Sequence, residues 1–258
     1  MRYFLKLAYN GLPFHGWQRQ PNAASVQQVI EESLQTIFQK ETPVTGAGRT
    51  DTGVHAREMY AHFDIENEIK DKNRFLLSLN RMVGKDISFY DVIPVTDDAH
   101  ARFDATGRTY RYYITDREDP FLYNLTHLIK EPLDVEGMNR AAAKLLEVSD
   151  FTSFAKLHTD TKTNICDVRE ARWEKDRNSG LLVFTISADR FLRNMVRAVV
   201  GTLIMVGRKK ITLEEFVDII KSQNRCNAGN SMPPQALFLE KIDYPDSIFR
   251  PYGCQIKD

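Results

Sequence analysis

Residues 46–56 read Gly46-Ala47-Gly48-Arg49-Thr50-Asp51-Thr52-Gly53-Val54-His55-Ala56, and here the sequence concentrates groups able to do chemistry. Three glycines in eight residues imply a backbone that turns tightly or passes close to another segment. The stretch carries one carboxylate, Asp51, two residues after a guanidinium, Arg49. An ionised carboxylate can attack covalently or abstract a proton. A plainer reading stands beside this one: Asp51 closes an Asx-turn and Arg49 is a surface cation. No Gly-Lys-Ser/Thr follows, so this is not a phosphate-cradling Walker loop, and it does not open the helix that a dinucleotide fingerprint requires.

Charge offers a second class of candidates. The 35 Lys and Arg balance 35 Asp and Glu, so net charge does not point to a polyanionic partner. Between Asp189 and Lys210, however, six basic residues (Arg190, Arg193, Arg197, Arg208, Lys209, Lys210) face one acid, Asp189. Arg102, Arg108, Arg111 and Arg117 form a second group, diluted by Asp104 and Asp116. Such groups mark either a nucleic-acid surface or a solvated face. Cys166, Cys226 and Cys254 lie far apart and form no CxxC pair, which argues against a disulfide framework or a zinc site. The N-terminus alternates like a strand and lacks the pattern of a signal peptide, and the longest apolar run, Ala198 to Gly207, is too short to cross a bilayer. A cytoplasmic enzyme is expected.

The elements that must position these residues follow from periodicity. Tyr3 to Tyr9 reads as a strand, followed by turn residues Asn10, Gly11, Pro13 and Gly16. Ser25 and Gln28 suggest a capping box, opening a helix whose apolar stripe is Val26, Val29, Ile30, Leu34, Ile37 and Phe38. Strands are predicted at Met59 to Ile65 and Ile87 to Ile93, with a helix at Asn73 to Val83 between them. Farther on, a strand at Thr109 to Thr115 precedes a helix at Val135 to Glu147 and strands near Asp167 to Glu174 and Leu181 to Ala188. Phe191 to Val206 reads as a helix with Leu192, Met195, Val196, Val199 and Leu203 on one face, which also puts Arg190, Arg193, Asn194 and Arg197 in helical register. Thr212 and Glu215 form another capping box for a helix through Ile220, and Ala236 to Asp243 ends the pattern as a strand. The expected class is α+β: two similar α/β halves, 1–108 and 109–258, with mixed, largely antiparallel sheets flanked by helices.

The glycine-rich segment, with Gly48-Arg49-Thr50-Asp51 followed by Gly53-Val54-His55-Ala56, resembles the catalytic loop of the TruA family of tRNA pseudouridine synthases. Four further stretches are similar to that family in the same order. They are Tyr9-Asn10-Gly11 through Phe14, Gly16, Trp17, Gln18 and Gln20; Ala101 to Thr106 leading into Arg108 to Tyr112; Phe191 to Arg197 continuing to Val200-Gly201; and Pro233-Pro234 to Leu239. The resemblance spans nearly the whole chain. One departure is visible, in that Ala236 precedes Leu237 where the family usually has glycine.

The resemblance implies the pseudouridine synthase fold and an isomerase that needs neither cofactor nor metal. It converts uridine to pseudouridine at positions 38, 39 and 40 of the tRNA anticodon stem-loop and works as a homodimer. Asp51 then becomes the catalytic nucleophile or base, with Arg197 as its cationic partner, opposing the rise in pKa that burial alone would cause. Arg197 is otherwise an ordinary surface arginine. Arg49 is implied to contact the RNA, Leu237 to pack at the site, and Tyr110 to stack on the target uracil. Tyr110 and Tyr112 share a strand face, so either ring can be core instead. His55 is expected to be a structural hydrogen-bonder rather than a general base. Two other readings are a catalytically inactive protein that binds structured RNA and a glycosidase using paired carboxylates, although no second acid stands in a comparable motif.

Overall fold

The computed structural model describes residues 1–156 and 163–251; Cys254 lies outside these. The chain divides into two compact units, Met1–Thr106 together with the segment from Leu239 onward, and Gly107–Phe238. From Leu239 the chain is thus assigned to the first unit, whereas the sequence suggested that everything after residue 108 forms the second. The architecture is α+β with largely antiparallel strand pairing, as expected.

The first unit holds β1 (Arg2–Tyr9), α1 (Val26–Phe38), β2 (Thr45–Gly46), β3 (His55–Asp64), α2 (Lys72–Met82) and β4 (Ile87–Val95). β1 is flanked by β3 and β4, both antiparallel, and Phe4, Leu5 and Leu7 are wholly buried. That near-continuous burial shows that side chains on both faces of β1 are covered. Only half of the capping box at Ser25 forms. The Ser25 hydroxyl accepts from the Gln28 N–H, but the Gln28 side chain donates to Glu32. β3 starts at His55, four residues before the predicted strand, because the end of the glycine-rich segment is drawn into pairing with β1 at Tyr9↔Ala56.

The second unit holds β5 (Gly107–Thr115), β6 (His127–Leu128), α3 (Val135–Ala143), β7 (Val168–Lys175), β8 (Leu182–Ala188), α4 (Met195–Gly207) and α5 (Leu213–Lys221). β8 pairs antiparallel with both β5 and β7, and β6 adds a short parallel pair to β5. α3 is shorter than predicted, since its last turn, Lys144–Glu147, tightens to a 3-10 helix. The expected capping box of α5 is complete.

α4 departs most from its predicted form. It begins at Met195, not Phe191, because Asn194 adopts a left-handed conformation with φ 66° that breaks the helix. Arg190, Arg193 and Asn194 therefore precede the helix. Nor does α4 have a single apolar face: 11 of its 13 residues are buried, so it is a core helix packed against α3 and α5. Gly201 allows one such approach, since a Cβ there would lie 1.9 Å from the Asn230 carbonyl oxygen.

The last strand, β9 (Leu237–Asp243), follows a 3-10 turn at Pro234–Ala236, so Ala236 is not part of it. In the first unit, the Ile242 N–H donates to Glu58 of β3 at 3.1 Å, and Arg57 pairs with Glu240 at 3.2 Å.

Candidate active site

Asp51 is half-buried on a loop that the preceding signature builds around it. The loop leaves β2, whose Gly46 pairs with Ala61, and re-enters the sheet as β3. Trp17 donates its backbone N–H to the Thr50 carbonyl at 3.2 Å, and Gly53 donates to the Phe14 carbonyl at 3.4 Å. The Tyr9 hydroxyl lies 2.8 Å from Thr50 Oγ1 in a buried contact. Gly16, at φ +90°, passes so close that a Cβ would sit 2.5 Å from the Thr50 oxygen. Within the loop, the Val54 N–H donates to the Asp51 carbonyl at 3.1 Å and closes the turn. Residues 9–17 therefore fix the backbone on both sides of the carboxylate, a function that sequence patterning did not assign to them. The glycine and aromatic spacing of that stretch was the available signal.

His55 is buried, and its Nδ1 accepts the Gly11 N–H at 3.1 Å. An imidazole whose Nδ1 accepts a main-chain proton serves as a structural acceptor, in line with the expectation. Arg49 is exposed and makes no hydrogen bond or ion pair among the described residues.

Tyr110, Arg197 and Leu237 belong to the second unit. Arg197 lies in the first turn of α4 and is half-buried. Its Nε donates to the Met232 carbonyl at 2.6 Å, while the Met232 N–H donates back to the Arg197 carbonyl at 3.1 Å. The next residue, Pro233, accepts the Tyr112 hydroxyl at 3.0 Å. Three motifs separated in sequence thus converge on Met232–Pro233. Burial holds the Tyr112 phenol protonated by pushing its pKa upward, opposed in part by the charge of Arg197. Tyr112 is completely buried core, whereas Tyr110 is half-buried and meets Phe191 edge to face at 5.1 Å. The structure thereby separates the two tyrosines left open by alternation. Leu237 is buried at the start of β9, and Ala236, in the place usually held by glycine, is buried without exposure.

The basic groups do not form the continuous clusters read from the sequence. Arg197 and Arg208 lie at opposite ends of α4, roughly 16 Å apart at 1.5 Å per residue. Arg208 pairs with Glu131 at 3.2 Å. Arg108 and Arg111 project to opposite faces of β5, and Arg108 donates to the Asp189 carbonyl at 2.7 Å. Cys166 is buried, and burial raises its thiol pKa to about 12; Cys226 is exposed. Among the described residues, no group of three or more His, Cys, Asp or Glu side chains could hold a metal ion, and no helix is long and apolar enough to cross a membrane.

Comparison with known proteins agrees with the family resemblance. The family described as tRNA pseudouridine synthase matches residues 141–245. The chain is 54% identical over 248 residues to the tRNA pseudouridine synthase A of Bacteroides fragilis, covering 96% of this chain and 98% of that protein. It is 53% identical over 249 residues to the protein of the same name from Porphyromonas gingivalis, covering 96% and 99%. A more distant relative, tRNA pseudouridine synthase A 2 of Clostridium perfringens, is 38% identical over 242 residues, covering 93% and 98%. With end-to-end similarity of this kind and the expected α+β fold, the chain belongs to the tRNA pseudouridine synthase A family and is an isomerase.

Proposed function

We propose that this enzyme converts uridine to pseudouridine at positions 38, 39 and 40 in the anticodon stem-loop of tRNAs, with Asp51 as the catalytic carboxylate. The bond from uracil N1 to the anomeric carbon breaks, the base turns, and carbon 5 joins the sugar. N1 gains a proton while the hydrogen on carbon 5 is lost to solvent, so no redox partner or group donor is required. Asp51 acts on the nucleotide as nucleophile or base. Arg197 is assigned as its cationic partner, Tyr110 as the ring stacked on the target base, Arg49 as an RNA contact and Leu237 as apolar packing at the site. The target must leave its stack before the sugar can be reached, at a cost of a few kcal/mol offset by stacking and phosphate contacts. We place the enzyme in the cytoplasm as a homodimer.

The observation that carries this reading is the cradle around residues 50–54. A carboxylate on a loop fixed by main-chain bonds to Phe14 and Trp17 and by the Tyr9–Thr50 contact is held ready for a positioned reaction. The test uses tRNA tritiated at carbon 5 of uracil. The wild type should release tritium without free uracil, and Asp51→Asn should bind tRNA yet release none. Tritium release by Asp51→Asn at a substantial rate would remove the carboxylate from the chemistry. Binding without release by the wild type would instead indicate an inactive RNA-binding protein, and free uracil would indicate a hydrolase.

A further inference from the structure

A second feature of the first unit lies away from the Asp51 loop. Residues 99–104 form a tight turn pinned from several directions. Arg2 donates to the Ala99 carbonyl at 2.9 Å, the Tyr244 hydroxyl donates to the Ala101 carbonyl, and the Ala101 N–H donates to Nδ1 of buried His62 at 3.1 Å. Inside the turn, His100 donates its N–H to the Asp104 carboxylate at 2.7 Å, and the Asp104 N–H returns to the His100 carbonyl at 3.0 Å. Nδ1 of His100 accepts from the N–H groups of Arg102 and Phe103 at 3.1 and 3.3 Å.

This rigid frame presents one large ring to solvent. Phe103 is 74% exposed although its ring rests on His100, with centroids 4.2 Å apart and planes 30° apart. His100 in turn meets the ring of His62 at 4.7 Å. The Arg102 guanidinium lies over the Phe103 ring, 5.8 Å from its centroid. An exposed, pre-ordered aromatic face beside a guanidinium matches a nucleotide, which supplies a flat base and an anionic phosphate. A protein partner would call for contiguous apolar area, but Phe103 is surrounded in its turn by His100, Arg102 and Asp104.

We propose that Phe103, with Arg102 beside it, is a stacking platform for an unpaired base of the tRNA substrate, distinct from the nucleotide that reacts. The platform rests on the reading that this enzyme acts on tRNA. The turn is anchored at His62, seven residues along β3 from His55 at the edge of the catalytic loop, or about 23 Å at strand rise. A base on Phe103 is therefore a different nucleotide from the one beside Asp51. It contributes to binding and register and leaves the chemical step alone. Unpaired bases that splay from loops of folded RNA are the ones such a ring can take.

The experiment compares wild type, Phe103→Ala and Phe103→Trp for tRNA affinity, turnover at saturating tRNA and fluorescence. Phe103→Ala should weaken tRNA binding by about tenfold or more while kcat stays at the wild-type value. Phe103→Trp should restore affinity, and its added emission should be quenched by tRNA, since Trp17 and Trp173 are only 2% and 3% exposed. Wild-type affinity in Phe103→Ala, or a tryptophan at 103 blind to tRNA, overturns the platform. A change in sedimentation of Phe103→Ala without RNA also overturns it, assigning the ring to a contact between copies of the chain. Failure of the wild type itself to bind tRNA would sink the underlying functional reading, and is distinguishable because it appears before any substitution is made.

Discussion

The buried contact between Tyr9 and Thr50 couples the N-terminal signature to the residue preceding Asp51, and a double-mutant cycle measures that coupling. Tyr9→Phe keeps the ring but removes the partner 2.8 Å from Thr50 Oγ1, in a residue only 7% exposed. A buried hydroxyl that loses its partner costs about 1–3 kcal/mol. Thr50→Val removes the same bond from the other side at nearly constant volume and should cost a similar amount. With both changes together, apolar groups face each other, and the double variant should lose about as much as one single variant. The coupling is then at least about 1 kcal/mol, above the few tenths expected for independent sites. For a chain of this size each kcal/mol moves Tm by about 2–4 °C, so the single variants should melt several degrees lower. Loosening of the loop should reach the chemistry: tritium-release assays should show a lower kcat for Tyr9→Phe with an almost unchanged KM for tRNA. Strict additivity of the two stability losses would refute the coupling. A wild-type kcat in Tyr9→Phe would detach the signature from the positioning of Asp51.

Arg197→Met should depress kcat strongly by removing the cation assigned to Asp51, and a wild-type rate would exclude that arginine from the chemistry. Arg197→Lys keeps the charge but loses the Nε donor to Met232, so partial recovery of kcat would identify charge as the larger contribution. Tyr110→Phe retains the ring and should bind tRNA like wild type in a filter-binding assay, whereas Tyr110→Ala should bind more weakly; equal affinity of the two would end the stacking assignment. Acid sensitivity has a candidate source in His62, whose pKa is lowered from 6.5 to about 4, first by burial and then by the charge of Arg2. Between those values the unfolded chain binds the additional proton, so this stabilisation is complete above pH 6.5 and is lost as pH falls toward 4. The slope is at most about 1.4 kcal/mol per pH unit. His62→Asn keeps an acceptor for the Ala101 N–H and should flatten the pH dependence of denaturant unfolding; an unchanged slope would place the acid sensitivity elsewhere.

Much of this protein was legible in one dimension because local rules coincide with tertiary demand. β1, α2, β4 and α5 fall within a residue or two of their predicted bounds, since alternation, helical periodicity and the Thr212 cap need only near neighbours. The Gly46 to Ala56 motif and its four companions, recognisable as strings, were enough to indicate the family. What failed locally failed for tertiary reasons. The start of α4 shifted because Asn194 turns left-handed, with its side chain bonded to Ser231, a partner 37 residues away. β3 gained residues because pairing with β1 extends to Ala56.

The sequence by itself determined which groups are present: one carboxylate in a glycine-rich loop, a set of arginines, two tyrosines in alternation and a class of fold. Only the tertiary structure decided how each of them is buried and partnered within its own unit. It buried Tyr112 and left Tyr110 half open, tied Arg197 to Met232, divided the basic run between the two ends of α4, and turned residues 9–17 into the cradle of Asp51. The physical reason is that burial and hydrogen-bond partnership belong to pairs of residues distant in the chain. A carbonyl at Met232 or a hydroxyl at Thr50 carries no mark of its partner until the backbone brings the two within 3 Å.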